Sequence, residues 1–238
     1  MKKILLSFLI LIIVYSCNEE VSLSFTEFNL EYSENSIIEI NAPRVDGESA
    51  IGDLINVTIE NHISNTLNFS DDQTNLILAD ALEKFDTEYK TFKNDFEENA
   101  LVWEATFDGE VTYQSSEIIS IALTSYLNTG GAHGNMNVTF LNFNPSTGEL
   151  LKIDDLIANK LAFTNLSQQH FNAAIQTSDG INFEDYFFGE GFQLPENIGF
   201  NNDGVNLFYN VYEIAAYAMG ITEFTIPYNE SAALLNVN

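Results

Sequence analysis

One cysteine, Cys17, is all that 238 residues contain, which excludes an intrachain disulfide framework and a zinc site built on paired thiolates. Basic side chains are scarce too: eight Lys and Arg oppose 35 Asp and Glu, a formal net charge of −27. A field of that sign repels nucleic acid and anionic lipid surfaces and draws basic proteins from solution. Only four prolines are spread along the chain, so no Pro-rich linker divides it, and repeats and low-complexity tracts are missing. The three histidines, His62, His133 and His170, form no His-Glu-x-x-His pair. There is no Gly-x-Ser-x-Gly elbow and no cysteine placed for nucleophilic attack. The sequence therefore offers no catalytic constellation, no metal site and no cofactor motif.

A long apolar run occurs only at the start. Lys2 and Lys3 precede Ile4 to Val14, a core well short of the roughly 20 residues of a membrane-spanning helix, so residues 1–16 read as a signal peptide. Val14-Tyr15-Ser16-Cys17 is similar to a bacterial lipobox, with Cys17 as the lipidated first residue of the mature chain. Two or three acyl chains would give stable anchoring. Loss of residues 1–16 removes Lys2 and Lys3 and no acid, leaving six basic against 35 acidic side chains, a formal charge near −29. In some bacterial lipoproteins an acidic run like Asn18-Glu19-Glu20 directs export to the outer face of the outer membrane.

Beyond a tether at 17–24, Ser36 to Val45 reads as a strand. Ile51, Leu54, Ile55, Ile59 and Ile63 then recur at helical spacing across about 47–65, and His62 near that end suits a capping or surface role. Leu78, Leu82, Phe85, Tyr89, Phe92 and Phe96 mark a second helix over about 73–99, with Asp71 or Asp72 as its cap. At Leu101 the period changes to two: Leu101, Trp103, Ala105 and Phe107 share one face, with a hairpin turn or bulge at Asp108-Gly109. Ile119, Ile121 and Leu123 continue the pattern, with Leu101, Trp103, Phe107, Ile121 and Leu123 expected in the core. A partner strand spans 137–143, a turn at Asn144-Pro145-Ser146-Thr147-Gly148 closes it, and a short strand reaches Ile153. A helix capped by Asp154 runs to about Ile175. Asn202-Asp203-Gly204 signals a hairpin within 200–209, and Phe224 to Pro227 is the last strand. Helices early and antiparallel strands later predict an α+β fold: an antiparallel sheet with helices packed on it, in two small, intimately packed subdomains divided near residue 115, the strand at 101–113 belonging to either half or joining both into one continuous sheet. Asp71-Asp72, Asp154-Asp155 and Asn201-Asn202-Asp203 lack the spacing of a calcium loop and read as caps and a turn.

The most informative stretch is Thr129-Gly130-Gly131-Ala132-His133-Gly134-Asn135. Its glycines require positive φ or a close approach by another group. His133 has three readings there: a general base or metal ligand, a hydrogen bond across the turn, or direct contact with a partner. A second segment, Tyr212-Glu213-Ile214-Ala215-Ala216-Tyr217-Ala218-Met219-Gly220 before Phe224-Thr225-Ile226-Pro227-Tyr228, carries side chains enriched at binding surfaces. Together the two segments resemble the extracellular domain of lysozyme-sensing anti-sigma factors (RsiV-like proteins) over roughly residues 25–235. The resemblance implies a PdaC-type deacetylase accessory domain at 25–115 and an RsiV-like domain at 116–238. It implies partner contact through Gly130, Gly131, His133, Tyr212, Glu213 and Tyr217. The resembled proteins usually have proline where this chain has Ala216, so a less rigid loop and weaker lysozyme binding are expected. The expected function is a lipid-anchored, non-enzymatic envelope module that captures a basic protein such as lysozyme, or a cell-wall glycan. The alternative is a peptidoglycan-acting envelope enzyme or enzyme accessory. Expected partners are the membrane, through lipidated Cys17, and no nucleic acid.

Overall fold

The computed structural model describes residues 23–68, 76–96, 101–175 and 183–237. Residues 1–22, which include the expected signal peptide and Cys17, lie outside these, as do Asp71 and Asp72. The described chain is α+β, with two sheets and helices packed on them. A five-stranded sheet has the order β1 (Phe25–Tyr32), β2 (Ile37–Val45), β3 (Glu104–Gln114), β4 (Ile119–Asn128), β5 (Asn135–Phe143). It therefore runs across residue 115. A smaller sheet holds β6 (Ile198–Phe200), β7 (Gly204–Tyr209) and β8 (Thr222–Pro227), all antiparallel.

Two helices connect β2 to β3. In α1 (Ala50–Leu67) the Ser49 side chain caps the first turn by accepting from Gly52 N–H at 2.9 Å. Its inward face is Ile55, Ile59, Ile63 and Leu67. Buried Asn56 holds the helix to β2, accepting from Val45 N–H at 2.8 Å and donating to the Val45 carbonyl at 3.3 Å. In α2 (Leu78–Asp95) the buried positions are Ala81, Leu82, Phe85, Asp86 and Tyr89. Both helices pack on Ile38, Ile40, Ala105, Phe107, Ile121 and Leu123. The second core joins α4 (Lys160–Ile175) to the smaller sheet through Phe163, Phe200, Val205, Leu207 and Ile226.

Several expectations need correction. β2 and β3 pair in parallel, because α1 and α2 form the long crossover that a parallel pair demands; every other pairing in the sheet is antiparallel. Leu101 is 60% exposed, since the strand begins only at Glu104, whereas Trp103 is buried among Phe85, Tyr89 and Phe92. Asp108-Gly109 is neither turn nor bulge. β3 runs straight through it, and a Cβ on Gly109 would meet Pro43 Cδ at 2.7 Å, so glycine serves close strand packing; the register shift comes later, between Val111 and Tyr113. The second helix starts at Leu78 with Ile77 at its N-cap. No strand leads directly into Ile153: after β5, Leu150 makes only an isolated bridge to Phe143. Asp155 caps α3 (Ile153–Leu156), accepting from Lys152 N–H at 2.8 Å, while Asp154 pairs with Lys160 at 2.8 Å. His62 lies inside α1, not at its end, and burial pushes its imidazole below the ordinary value. Among the described residues no helix is long and apolar enough to cross a membrane.

Candidate functional site

The β4–β5 hairpin closes at the pair Leu127–Asn135, leaving Asn128 to Gly134 as its loop. Asn128 Oδ1 accepts from Gly130 N–H at 3.2 Å, and Gly130 takes φ +83°. A Cβ there would stand 3.6 Å from both Phe92 Cε1 and Trp103 Nε1, so the loop rests on the aromatic end of α2. Gly131 is exposed beside it. A Cβ on Gly134 would overlap the Tyr126 ring, so only glycine lets the chain return flat across that ring. His133 then projects outward, exposed, with Nδ1 3.0 Å from the Gly134 carbonyl. A carbonyl only accepts, so Nδ1 carries the proton.

The second loop leaves β7 at Tyr209, whose buried hydroxyl donates to the Gln193 carbonyl at 2.7 Å; burial and the nearby Glu213 carboxylate push that hydroxyl above its ordinary value. Asn210 ties the loop to the outer edge of β5. Its Oδ1 accepts from Val138 N–H at 2.8 Å and its Nδ2 donates to the Val138 carbonyl at 3.0 Å. Glu213 turns inward and accepts from Glu196 N–H at 2.8 Å and Asn210 N–H at 2.9 Å. Burial nevertheless pushes its carboxyl above the ordinary value, against the pull of those two bonds. Ile214 and Ala215 are buried, and Tyr217–Met219 form a 3-10 turn closed by Met219 N–H on the Ala216 carbonyl at 2.9 Å. Gly220 exits at φ +71°. Ala216 has φ −64° and ψ 152°, the φ that a proline ring would impose. Alanine thus reaches the same shape, at a larger entropic cost from the unfolded chain.

These two loops meet. The His133 ring stacks on Tyr217 with centroids 4.3 Å apart and planes 18° apart, and Tyr212 lies 5.4 Å from Tyr217 at 36°. Of the six candidate contact residues, His133, Tyr212 and Tyr217 form one exposed aromatic surface. Gly130 shapes the hairpin loop that presents it, and Glu213 braces the other loop from within. The sequence carries little signal for Asn210 beyond an asparagine just past the strand end. Away from the stack, Glu27, Glu31, Glu39 and Asp108 stand exposed on the sheet face opposite the helices, with Glu31 and Glu39 directly paired across β1 and β2. A groove of about 440 Å³ on that face is lined by Phe25, Glu27, Asn29, Asn41, Pro43 and Asp108, among others. Among the described residues no three His, Cys, Asp or Glu side chains gather as a metal cluster.

Comparison with known proteins matches two successive stretches of the chain. Residues 27–136 match the sequence profile described as Deacetylase PdaC, and residues 143–229 match the profile of the protein of unknown function DUF3298. No curated protein matches. The fold is shared with the crystal structure of a DUF3298 family member from Bacteroides fragilis, at 21% identity and a TM-score of 0.72, covering 91% of this chain and 95% of that one. A DUF3298 family protein from Pseudomonas aeruginosa aligns at 19% identity with a TM-score of 0.64, covering 91% and 96%. The chain thus has a PdaC-like and then a DUF3298 domain architecture.

Proposed function

We propose that this chain is a lipid-anchored binding module of the bacterial envelope that captures a basic protein such as lysozyme. The observation that carries the proposal is the His133–Tyr217–Tyr212 stack, an exposed aromatic surface built from two separately braced loops. Aromatic rings held in place bury large area at little entropic cost on binding. His133 gives Nδ1 to a carbonyl and its face to a ring, an arrangement suited to recognition more than to proton transfer. The net charge of −27 favours a basic partner. Anchoring rests on Lys2, Lys3, the apolar run to Val14 and the lipobox ending at Cys17, with Glu19 and Glu20 directing the protein to the outer face.

A second reading, a glycan-binding accessory to a peptidoglycan-acting enzyme, draws on the profile named for a deacetylase and on the sheet groove. That groove sets carboxylates and amides beside Phe25 and Pro43, a combination that suits sugar hydroxyls and a sugar face. Incubation with immobilised lysozyme and with insoluble peptidoglycan separates the readings. Retention on lysozyme that salt releases supports protein capture. Cosedimentation with peptidoglycan, or acetate release from it, without lysozyme retention overturns capture in favour of the second.

A further inference from the structure

Phe188 sits where neither the backbone nor the core rewards a phenylalanine. Its φ is +51° and ψ +31°, between Phe187 at φ +57° and Gly189 at φ +87°. Three successive residues are therefore left-handed, a region where an L side chain crowds the following carbonyl and a bulky one is an outlier. Phe187 is compensated, because its buried ring packs on Phe171 at 5.2 Å and Phe192 at 5.4 Å. Phe188 is not. Its ring is 70% exposed and makes no ring contact among the described residues. Glycine or asparagine would hold the same turn with less strain. Strain retained where the folded chain gains nothing marks a functional position.

The turn is joined to the aromatic surface already described. Phe187 N–H donates to the Ile214 carbonyl at 2.6 Å, and Glu190 N–H closes the turn on the Phe187 carbonyl at 2.8 Å. Tyr212, two residues before Ile214, repeats the pattern, with φ +68° and 57% exposure. Exposed acids flank the turn in the chain, Glu184, Asp185, Glu190 and Glu196, with no Lys, Arg or His anywhere from 183 to 213.

We infer that Phe188 is a second apolar anchor of the partner surface, entering an apolar cleft rimmed by Lys and Arg on a basic protein. Charge complementarity selects that occupant, since the acids around an exposed ring meet cations around a cleft. The inference rests on the protein-capture reading above. It is tested with the full chain in detergent and lysozyme as the probe. Phe188→Asn should bind about tenfold more weakly, through faster dissociation, and should melt no earlier than wild type, because asparagine tolerates the left-handed turn. Phe188→Tyr, which keeps the ring, should bind as wild type does. Wild-type dissociation from Phe188→Asn overturns this assignment and leaves protein capture standing. A lower melting temperature for Phe188→Asn makes the ring structural and also overturns it. Loss of self-association without any change toward lysozyme assigns the ring to a second copy of the chain, against the inference. If wild type itself does not bind lysozyme, both readings fall together.

Discussion

Asp86 is a buried carboxylate whose oxygens are occupied by one short segment. It accepts from Asn35 N–H at 2.8 Å, Asn35 Nδ2 at 2.6 Å, Ser36 N–H at 2.8 Å and Ser36 Oγ at 2.9 Å. Burial alone pushes its carboxyl up, but these bonds outweigh burial and hold it below the ordinary 3.8. Since the folded value lies below the unfolded one, the stabilisation is full above about pH 4 and is lost as pH falls through the folded value. Asp86→Asn should cost about 2–3 kcal/mol at neutral pH. Denaturant titrations between pH 7 and pH 2 should show the wild-type advantage shrinking on acidification; a gap constant with pH would contradict this assignment. At this scale the sequence was partly legible. His133, Tyr212 and Tyr217 stand out by composition and neighbours, yet nothing in a string of residues says that two rings 84 positions apart stack. Phe188 is not legible in the sequence, because an aromatic beside another aromatic reads as core and only the backbone shows its left-handed φ.

Among the elements, the two edges of the large sheet differ. β5 is closed by side chains: Asn210 on Val138, Asn197 Oδ1 on Phe140 N–H at 2.9 Å, and Asn142 Nδ2 on the Ile198 carbonyl at 2.8 Å. These amides substitute for a sixth strand, and Asn210 holds the Tyr212 loop against β5. Asn210→Ala should leave both Val138 backbone groups without their partner, costing about 1–3 kcal/mol. Hydrogen exchange should show the Val138 amide accelerating while the amides between β3 and β4 keep their protection; unchanged Val138 exchange would sink the clamp. Strand and helix periods were readable, since alternation and three-to-four spacing follow from which face meets the core. Pairing was not. Alternation in β2 and β3 reports a buried face but not a neighbour, so the parallel pairing across two helices stayed hidden. β1 was missed although Phe28, Leu30 and Tyr32 alternate, because its inward side chains are only half-buried at the sheet edge.

For the whole molecule, charge and anchoring set the terms of encounter. If Cys17 is the lipid attachment point, Cys17→Ser should move the protein from membrane to soluble fractions or block its maturation; normal cleavage with unchanged fractionation would refute the anchor. Exposed charge acts over about 10 Å at 0.1 M salt and governs approach, whereas packed rings govern residence. The division of labour between an acidic body and an aromatic stack is the central claim. Surface-based kinetics against lysozyme, at about 0.05 M and 0.3 M salt, for wild type and Tyr217→Ala, test it most directly. Association should slow several-fold at the higher salt in both proteins, while Tyr217→Ala should raise the dissociation rate about tenfold at either salt. Binding that is insensitive to both salt and the loss of the Tyr217 ring would contradict it.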